Sequence, residues 1–368
     1  NKKNEFHFEP DWYRGIEYPK EQERGYDFNE DLYVPGFFEV DIKKGESVVF
    51  SAGISNVSTN KLKQIFQHEV NDRTPRDSFY HCLKNSAHQF HNKQGDCHYI
   101  LAGYPWFKCR ARDLFVSLPG LTLAIDEPEE FEDVMETAQK TLRCYMNNIP
   151  VDCKIYELDD PDVLLWAVWA LQQYAKETTR EKCRIKYGDL LLEIIDFIRK
   201  GKHNNLFLHE NGLLYTHGAN KPVTWMNSTI DGHPVIPRTG YVVEVNALWY
   251  NALRFVADML REDENPSLAD TLDALAQKTA VSFVETFRNE YGYLLDFVDG
   301  NMMDWSVRPN MIFTVAFDYS PLDKIQKKQV LDIVTKELLT PKGLRSLSPK
   351  SVGYNPNYVG IQRERDSA

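Results

Sequence analysis

The chain has 368 residues and a formal net charge of −11, and 42% of its residues are hydrophobic and 26% are charged. These proportions exclude a disordered protein, and no run of about 18 apolar residues is available to cross a membrane. The acidic balance, with no basic stripe to offset it, argues against nucleic acid as a partner and favours a neutral substrate.

The length predicts two domains, at about 150 residues per domain. The six cysteines include no CxxC pair or zinc-like spacing, which predicts reduced thiols and a cytoplasmic protein. Because the first residue is Asn1 rather than Met, we expect the chain to be part of a longer protein.

Residues 1–55 have the pattern of β structure. The segment from Gly36 to Ile42 alternates between apolar and polar positions, residues 43–46 supply a turn that contains glycine, and residues 47–51 predict a returning strand. We therefore expect residues 1–55 to be the end of a β-rich domain.

Helices of two kinds are predicted over residues 56–368. Glu129 to Asn148 is apolar on one side, whereas Val163 to Leu171 is apolar on every side and is predicted to be buried. Apolar segments of this second kind alternate with one-sided segments, and with an initial pair at 59–73 and 76–91 they form five predicted helical hairpins. The apolar members lie at about 113–125, 162–175, 244–260 and 309–318, and their partners lie at about 129–148, 180–200, 268–289 and 323–339.

A buried helix followed by a helix that is exposed on its outer face is typical of a closed ring of inner and outer helices. The predicted fold is therefore mainly α, an (α/α)6 toroid that lacks its last hairpin. Three long connections, 98–112, 203–243 and 290–308, each lead into the N-terminus of a predicted inner helix. We expect them to cluster at one end of the ring, where a functional site would form.

The first two connections contain several candidate binding residues. Trp106 is a candidate platform for a sugar ring and Asp113 a candidate acceptor for sugar hydroxyls, although an ion pair between Arg112 and Asp113 would account for the acid equally well. Glu244 and Trp249 open an otherwise apolar helix, where a polar group needs a partner or a ligand. Helix capping is the alternative for Glu244, and core packing is the alternative for Trp249.

The third connection carries a cluster of acids at Asp296, Asp299 and Asp304. Acids at the open end of an aromatic-rich helical ring favour glycoside hydrolysis, and an inverting enzyme needs two carboxyl groups about 6.5–9.5 Å apart. The isolated histidines in the second connection show no metal-ligand spacing, which favours core or surface roles; they are His203, His209, His217 and His233.

Several motifs, taken in chain order, resemble the C-terminal amylo-α-1,6-glucosidase domain of glycogen debranching enzymes. They are Ala102 to Phe107, Arg112-Asp113, Ser117 to Leu123, Thr224-Trp225-Met226, Pro237-Arg238, Glu244 to Asn251, Arg308-Pro309-Asn310 and Gly343 to Pro349. The resemblance covers about residues 55–368, and residues 14–50 resemble the end of the β-rich domain in bacterial members. It implies an (α/α)6 toroid, inverting hydrolysis of α-1,6 glucosyl stubs on an α-glucan such as glycogen or limit dextrin, and no cofactor or metal.

The chain departs from the family pattern in three places. The family has an aspartate, the expected general acid, after Thr-Trp-Met, and this chain has Asn227, which cannot deliver a proton. An aromatic-Gly-Arg-Asp-Thr motif is replaced by residues 110–114, Arg-Ala-Arg-Asp-Leu. The glutamate that the resemblance implies as general base is expected beyond Ala368. The chain by itself is therefore expected to be inactive.

The resemblance and the residues together give a set of expected roles. Asp231 is the candidate acid or water-orienting carboxylate in place of Asn227. The other candidates are Glu244, Asp113 and Asp299 as hydroxyl acceptors, Arg112, Arg238 and Arg308 as residues that orient the carboxylates, and Trp106, Trp225 and Trp249 as sugar platforms. Two alternatives remain, a glycan-binding or regulatory relative without hydrolytic activity and another toroidal glycosidase. No membrane or nucleic-acid partner is expected, and the sequence leaves the oligomeric state undecided.

Overall fold

The structure is a computed structural model that describes residues 5–103, 107–150, 154–262 and 266–357. Two compact units divide the chain after Asn85: one contains the residues up to Asn85, and the other runs from Ser86 to Pro356. The sequence placed its domain boundary earlier, after residue 55. The helix at Leu62–Asp72 has no buried residue, so the apolar periodicity of this segment does not correspond to a core helix.

The first unit combines short strands with three helices. Two antiparallel pairs form its sheets, β1 with β4 and β2 with β3. The predicted strand at residues 47–51 is wrong: these residues have no strand structure, although the turn before them is present. The elements are β1 Glu5–His7, β2 Asp11–Glu17, α1 Pro19–Glu23, β3 Asn29–Val34, β4 Phe37–Glu39, α2 Leu62–Asp72 and α3 Phe79–His88, the last of which contains the division point.

The second unit is mainly helical, and a helix overlaps each of the helical segments predicted for it. Its helices are α4 Ala111–Leu121, α5 Pro128–Met146, α6 Val163–Glu177, α7 Arg180–Arg199, α8 Val243–Glu262, α9 Pro266–Phe287, α10 Phe313–Ala316 and α11 Lys324–Glu337. Short 3₁₀ helices at Leu123–Ile125 and Pro309–Ile312 follow α4 and precede α10.

Burial distinguishes the two predicted kinds of helix. Most residues of α6 and α8 are buried, whereas α5 buries one face through Phe131, Val134, Ala138 and others at helical spacing. The helix α6 contacts both α4 and α8, so the three apolar helices lie side by side.

Local sequence signals define the starts of two helices. The Thr179 side chain accepts a hydrogen bond from the Lys182 amide before α7, and Asp323 forms a capping box with Gln326 before α11.

The strands of this unit lie in the segments outside its helices. These are β5 His91–Gln94, β6 Cys97–Ile100, β7 Cys109–Arg110, β8 Ile155–Tyr156, β9 Phe207–Leu208, β10 Leu214–Thr216, β11 Thr229–Ile230, β12 His233–Pro234, β13 Gly240–Val242, β14 Phe297–Asp299, β15 Met302–Met303, β16 Leu339–Thr340 and β17 Gly343–Leu344. A five-stranded sheet with the order β15-β14-β13-β10-β9 joins the second long connection to the third. Within the part of the chain that the structure describes, no helix has the length and hydropathy needed to cross a membrane.

Candidate active site

The guanidinium group of Arg238 lies at the centre of a buried ionic cluster. Its terminal nitrogens donate to both carboxylate oxygens of Glu244, over 2.5 and 2.6 Å, and its Nε lies 2.7 Å from Asp296 Oδ2. The same side chain donates to Thr224 Oγ1 over 3.0 Å. All four residues are at most 2% exposed, so these contacts are shielded from water.

Asn310 extends the cluster to the surface. Its amide nitrogen donates to Asp296 Oδ1 over 2.7 Å and to the Met226 sulfur over 3.2 Å, and its carbonyl oxygen accepts from the indole N–H of Trp225 over 2.8 Å. Trp225 is 41% exposed, so a buried amide fixes the orientation of a partly exposed indole. We call this set the Arg238 network: Thr224, Trp225, Arg238, Glu244, Asp296 and Asn310.

The Arg238 network requires β13 and β14 to pair closely. Gly240 begins β13 with a φ of +92°, and a Cβ at this position would lie 2.3 Å from the carbonyl oxygen of Val298. Only glycine tolerates both this backbone conformation and this approach. The pairing of Tyr241 with Val298 then places Asp296, the residue before β14, beside Arg238 in the loop before β13.

Two guanidinium groups and three carboxylates meet in this region. The Nε of Arg308 is 3.9 Å from Asp296 Oδ2 and 3.6 Å from Asp304 Oδ2. Burial raises the pKa of the Asp296 carboxyl to about 6, and the charge of Arg238 offsets this effect only in part. Burial also opposes the charge on Arg238, but its two acidic partners outweigh burial and raise its pKa, so Arg238 stays ionised.

The raised pKa of Asp296 predicts a specific pH dependence of stability. A carboxyl with a folded-state pKa of about 6 and an unfolded value of about 4 stabilises the fold below pH 4, and this contribution is lost as the pH rises through 6. We expect the free energy of unfolding of the wild type, relative to Asp296→Asn, to fall by about 2–3 kcal/mol between pH 4 and pH 7. Urea unfolding of both proteins across this range measures the difference, and a difference that is independent of pH contradicts the prediction.

A second buried cluster surrounds Arg112, at the start of α4. Its guanidinium group donates to both oxygens of Asp162 over 2.8–3.0 Å and to Asp160 Oδ2 over 2.8 Å. Asp162 also accepts from the indole N–H of Trp166, and Lys221 Nζ lies 3.2 Å from Asp160 Oδ1. This Arg112 network consists of Arg112, Asp160, Asp162, Trp166 and Lys221, and it corrects the suggested ion pair of Arg112 with Asp113.

The two networks show where the long connections meet. Arg112 and Asp162 lie at the N-terminal ends of α4 and α6, and Glu244 lies in the first turn of α8. Lys221 belongs to the same connection as Thr224, so this connection contacts both networks. The three connections therefore converge, as predicted, at the N-terminal ends of α4, α6 and α8, which we call the loop end.

The two candidates for the proton donor lie at the loop end, one just before a short hairpin and one in its turn. Asn227 directly follows the Thr-Trp-Met segment, and its backbone N–H donates to the Trp225 carbonyl over 2.9 Å. Asp231 forms the turn between β11 and β12 with a φ of +53°, in the left-handed region that aspartate tolerates better than most residues. Both side chains are exposed, in contrast to the buried acids of the Arg238 network.

The structure corrects two of the predicted roles and modifies others. Trp249 is fully buried and donates its indole N–H to the Gly212 carbonyl, so it has no face for a sugar and packs in the core. Glu244 accepts from Arg238 with both oxygens and is only 1% exposed, so a sugar hydroxyl cannot reach it. Asp113 is exposed in the first turn of α4, and Asp299 Oδ1 accepts from the Tyr215 hydroxyl over 2.8 Å. Trp106 lies outside the described residues.

Sequence reasoning missed an aromatic cavity beside the Arg112 network. It has a volume of about 200 Å³ and extends along α6 from Trp166 in its first turn to Lys176 in its last, with Phe313 and Phe317 opposite. The sequence does not reveal this cavity, because a helix that is apolar on every side is predicted to bury all its aromatic side chains. The central positions of Asp296 and Asn310 were also missed, since only their motifs and not their contacts are visible in sequence.

Two family models match successive parts of the chain. Residues 80–368 match the family described as amylo-alpha-1,6-glucosidase, and residues 1–49 match the glycogen debranching enzyme N terminal family. The chain is similar in structure to a crystal structure of bacterial glucoamylase complexed with acarbose, with a TM-score of 0.49 and 14% sequence identity over 82% of this chain and 48% of the glucoamylase chain. The chain thus spans about half the length of that structure. No curated protein matches the chain significantly.

Proposed function

The chain belongs to the amylo-alpha-1,6-glucosidase family, and on this basis we propose that its loop end binds a branched α-glucan at an α-1,6-linked glucosyl stub. The proposed reaction is hydrolysis with inversion, in which a carboxylic acid protonates the leaving oxygen and a carboxylate activates water. The proposal includes the earlier expectation that the protein acts on glycogen or limit dextrin. It also includes the assignment of the helical unit as an (α/α) toroid.

One observation carries this proposal, namely that the Arg238 network unites the family motifs at the loop end. Thr224-Trp225, Arg238, Glu244 and Asn310 come from four separate motifs, and they form one hydrogen-bonded unit around Asp296. A buried ionic unit of this kind holds the adjoining loops in fixed positions, which a site for a rigid pyranose ring requires. In this proposal Trp225 is the sugar platform, because its indole is both oriented and partly exposed.

The donor position is the weak point of a hydrolytic mechanism in this chain. Asn227 stands where the family resemblance places the general acid, and an amide has no acidic proton to deliver. We propose Asp231 as the alternative acid or water-orienting group, since it lies in the turn of the hairpin that follows Asn227. With an amide at the donor position, we expect slow hydrolysis of natural glycosides, whose leaving groups need a proton.

Asn227 also favours a second candidate function. A relative that has lost its general acid but retains the Arg238 network would bind an α-glucan without cleaving it. In that case, the fixed indole of Trp225 and the hydrogen-bonding groups around it would serve recognition alone. Both functions involve binding of an α-glucan, and only the first includes its hydrolysis. A binding measurement by itself therefore does not distinguish the two functions.

A substrate panel with product analysis tests the proposed function. We expect the full-length protein to release glucose from limit dextrin and α-1,6-linked oligosaccharides at least about tenfold faster than from α-1,4- or α-1,1-linked ones. The first product should be β-glucose, as observed by ¹H NMR before mutarotation, because inversion at an α-glucoside gives the β anomer.

Each other result of this experiment has a defined meaning. Preference for an α-1,4 or α-1,1 linkage identifies another type of toroidal glycosidase and contradicts the proposal. An initial α-glucose product contradicts inversion. Saturable binding of limit dextrin without any glucose release favours the second candidate, a binding relative.

A further inference from the structure

A cluster of histidines and acids lies away from the loop-end networks, where the β5–β6 hairpin packs on α5. The backbone N–H of His98 donates to Thr137 Oγ1 over 2.9 Å, and a ring nitrogen of His91, Nε2, lies 3.3 Å from the Leu121 carbonyl oxygen. These contacts fix the position of the hairpin on the helix. Both histidine side chains are largely buried, with 17% and 20% of their surface exposed for His91 and His98.

The hairpin and the helix direct their polar side chains toward each other. The register pairs His91 with Ile100 and Lys93 with His98, which places His91 and His98 on the same face of the hairpin. Glu130 and Asp133 are three residues apart on α5, so they lie on one face of the helix. The potential ligand atoms of His98, Glu130 and Asp133 all lie within 4.8 Å of one another.

The distances in this cluster suit a shared cation better than direct hydrogen bonds. His98 Nδ1 lies 3.6 Å from Asp133 Oδ2, and His91 Nδ1 lies 3.7 Å from Glu130 Oε2. Both separations exceed hydrogen-bond length. The separation of His98 Nδ1 from Asp133 Oδ2 is close to the separation of about 3.3–3.5 Å expected for two ligands at about 2.0–2.1 Å from one tetrahedral zinc ion. The neighbouring His88 differs, since its Nε2 contacts Glu127 at an ordinary 2.8 Å.

His91 lies beside these three residues, next to Glu130. Its Nε2 is 3.3 Å from the Leu121 carbonyl oxygen and its Nδ1 is 3.7 Å from Glu130 Oε2. Polar groups that contact a ligating carboxylate in this way commonly orient it around a metal ion.

We propose that His98, Glu130 and Asp133 bind one divalent transition metal ion of the zinc class. An imidazole nitrogen beside two carboxylate oxygens favours zinc over magnesium or calcium, which select oxygen ligands alone. The ion ties the hairpin to α5. Because β6 continues directly into residues 101–103 of the first long connection, it also restrains the start of a loop-end segment. This proposal replaces the expectation that the protein binds no metal, and it does not depend on the proposed glycosidase activity.

Titration of the chelator-treated protein with ZnCl₂ tests the site. We expect binding of one Zn²⁺ per chain by isothermal titration calorimetry and an increase in the melting temperature on addition of zinc. His98→Ala and Asp133→Asn should each weaken Zn²⁺ binding at least tenfold and remove the zinc-dependent increase. Magnesium and calcium should produce neither effect.

His68→Ala is the matched control, because His68 pairs with Asp72 on an exposed helix but does not belong to the cluster. It should leave the zinc affinity unchanged. Co²⁺ provides a readout that does not require the variants to fold, since a tetrahedral nitrogen and oxygen site gives a strong visible absorption in the wild-type protein. Absence of stoichiometric Zn²⁺ binding, or equal weakening by His68→Ala and His98→Ala, overturns the proposal.

Discussion

Arg238→Met should lower the free energy of unfolding by about 3–5 kcal/mol, the largest stability effect that we expect from a single substitution at the loop end. The substitution leaves two carboxylates, Glu244 and Asp296, buried without their cation. It also removes the donor to Thr224 Oγ1 and so loosens the segment that precedes Trp225. Urea or guanidinium unfolding at pH 7, followed by circular dichroism, measures the loss.

A surface arginine provides the matched control for this substitution. Arg143 pairs with Glu193 between two helices, and both side chains are about 40% exposed, so Arg143→Met should cost less than about 1 kcal/mol. If the loss is caused by the two buried carboxylates that lack a counter-ion, adding Glu244→Gln and Asp296→Asn to Arg238→Met should recover part of the lost stability. A loss below about 1 kcal/mol for Arg238→Met would show that the Arg238 network does not hold the loop end together.

Hydrophobic periodicity predicted the helices of the second unit because their packing is repetitive. A segment such as α6 is apolar on every side since it is buried among α4, α7 and α8, and this environment is visible in the sequence. The strand at residues 47–51 was predicted wrongly because alternation alone does not supply a partner. In the structure β4 pairs instead with β1.

The site was predictable in its composition but not in its pairing. Arg238 and Glu244 were both named from motifs, yet Asp296, which completes the cluster, lies 58 residues from Arg238 and joins it only through the pairing of β13 with β14. Adjacent residues on a helix point in different directions, so Arg112 pairs with Asp160 and Asp162 rather than with its neighbour in sequence. Long-range ion pairs of this kind depend on topology.

Asn227→Asp should increase the hydrolysis of limit dextrin by the full-length protein by about 10²–10⁴-fold, the range expected when a general acid is supplied. Asparagine and aspartate have nearly the same shape, so the substitution supplies a carboxyl group that can donate a proton and leaves the packing unchanged. The preceding segment is fixed, because Thr224 contacts Arg238 and Trp225 contacts Asn310. The added carboxyl group should therefore occupy the position of the present amide. Glucose release at several pH values measures the gain.

Leaving-group chemistry distinguishes a restored acid from a general improvement in binding. Fluoride departs without a proton, so Asn227→Asp should hardly change the rate with α-glucosyl fluoride while it accelerates hydrolysis of limit dextrin. Asp231→Asn provides the complementary comparison: if Asp231 is the working acid, this substitution removes the activity of the wild type but not that of the Asn227→Asp variant. Equal acceleration of both substrates would contradict an acid role for position 227. If the wild type is strongly active and Asp231→Asn abolishes this activity, the general acid is Asp231. The proton donor of this chain would then lie in the turn between β11 and β12.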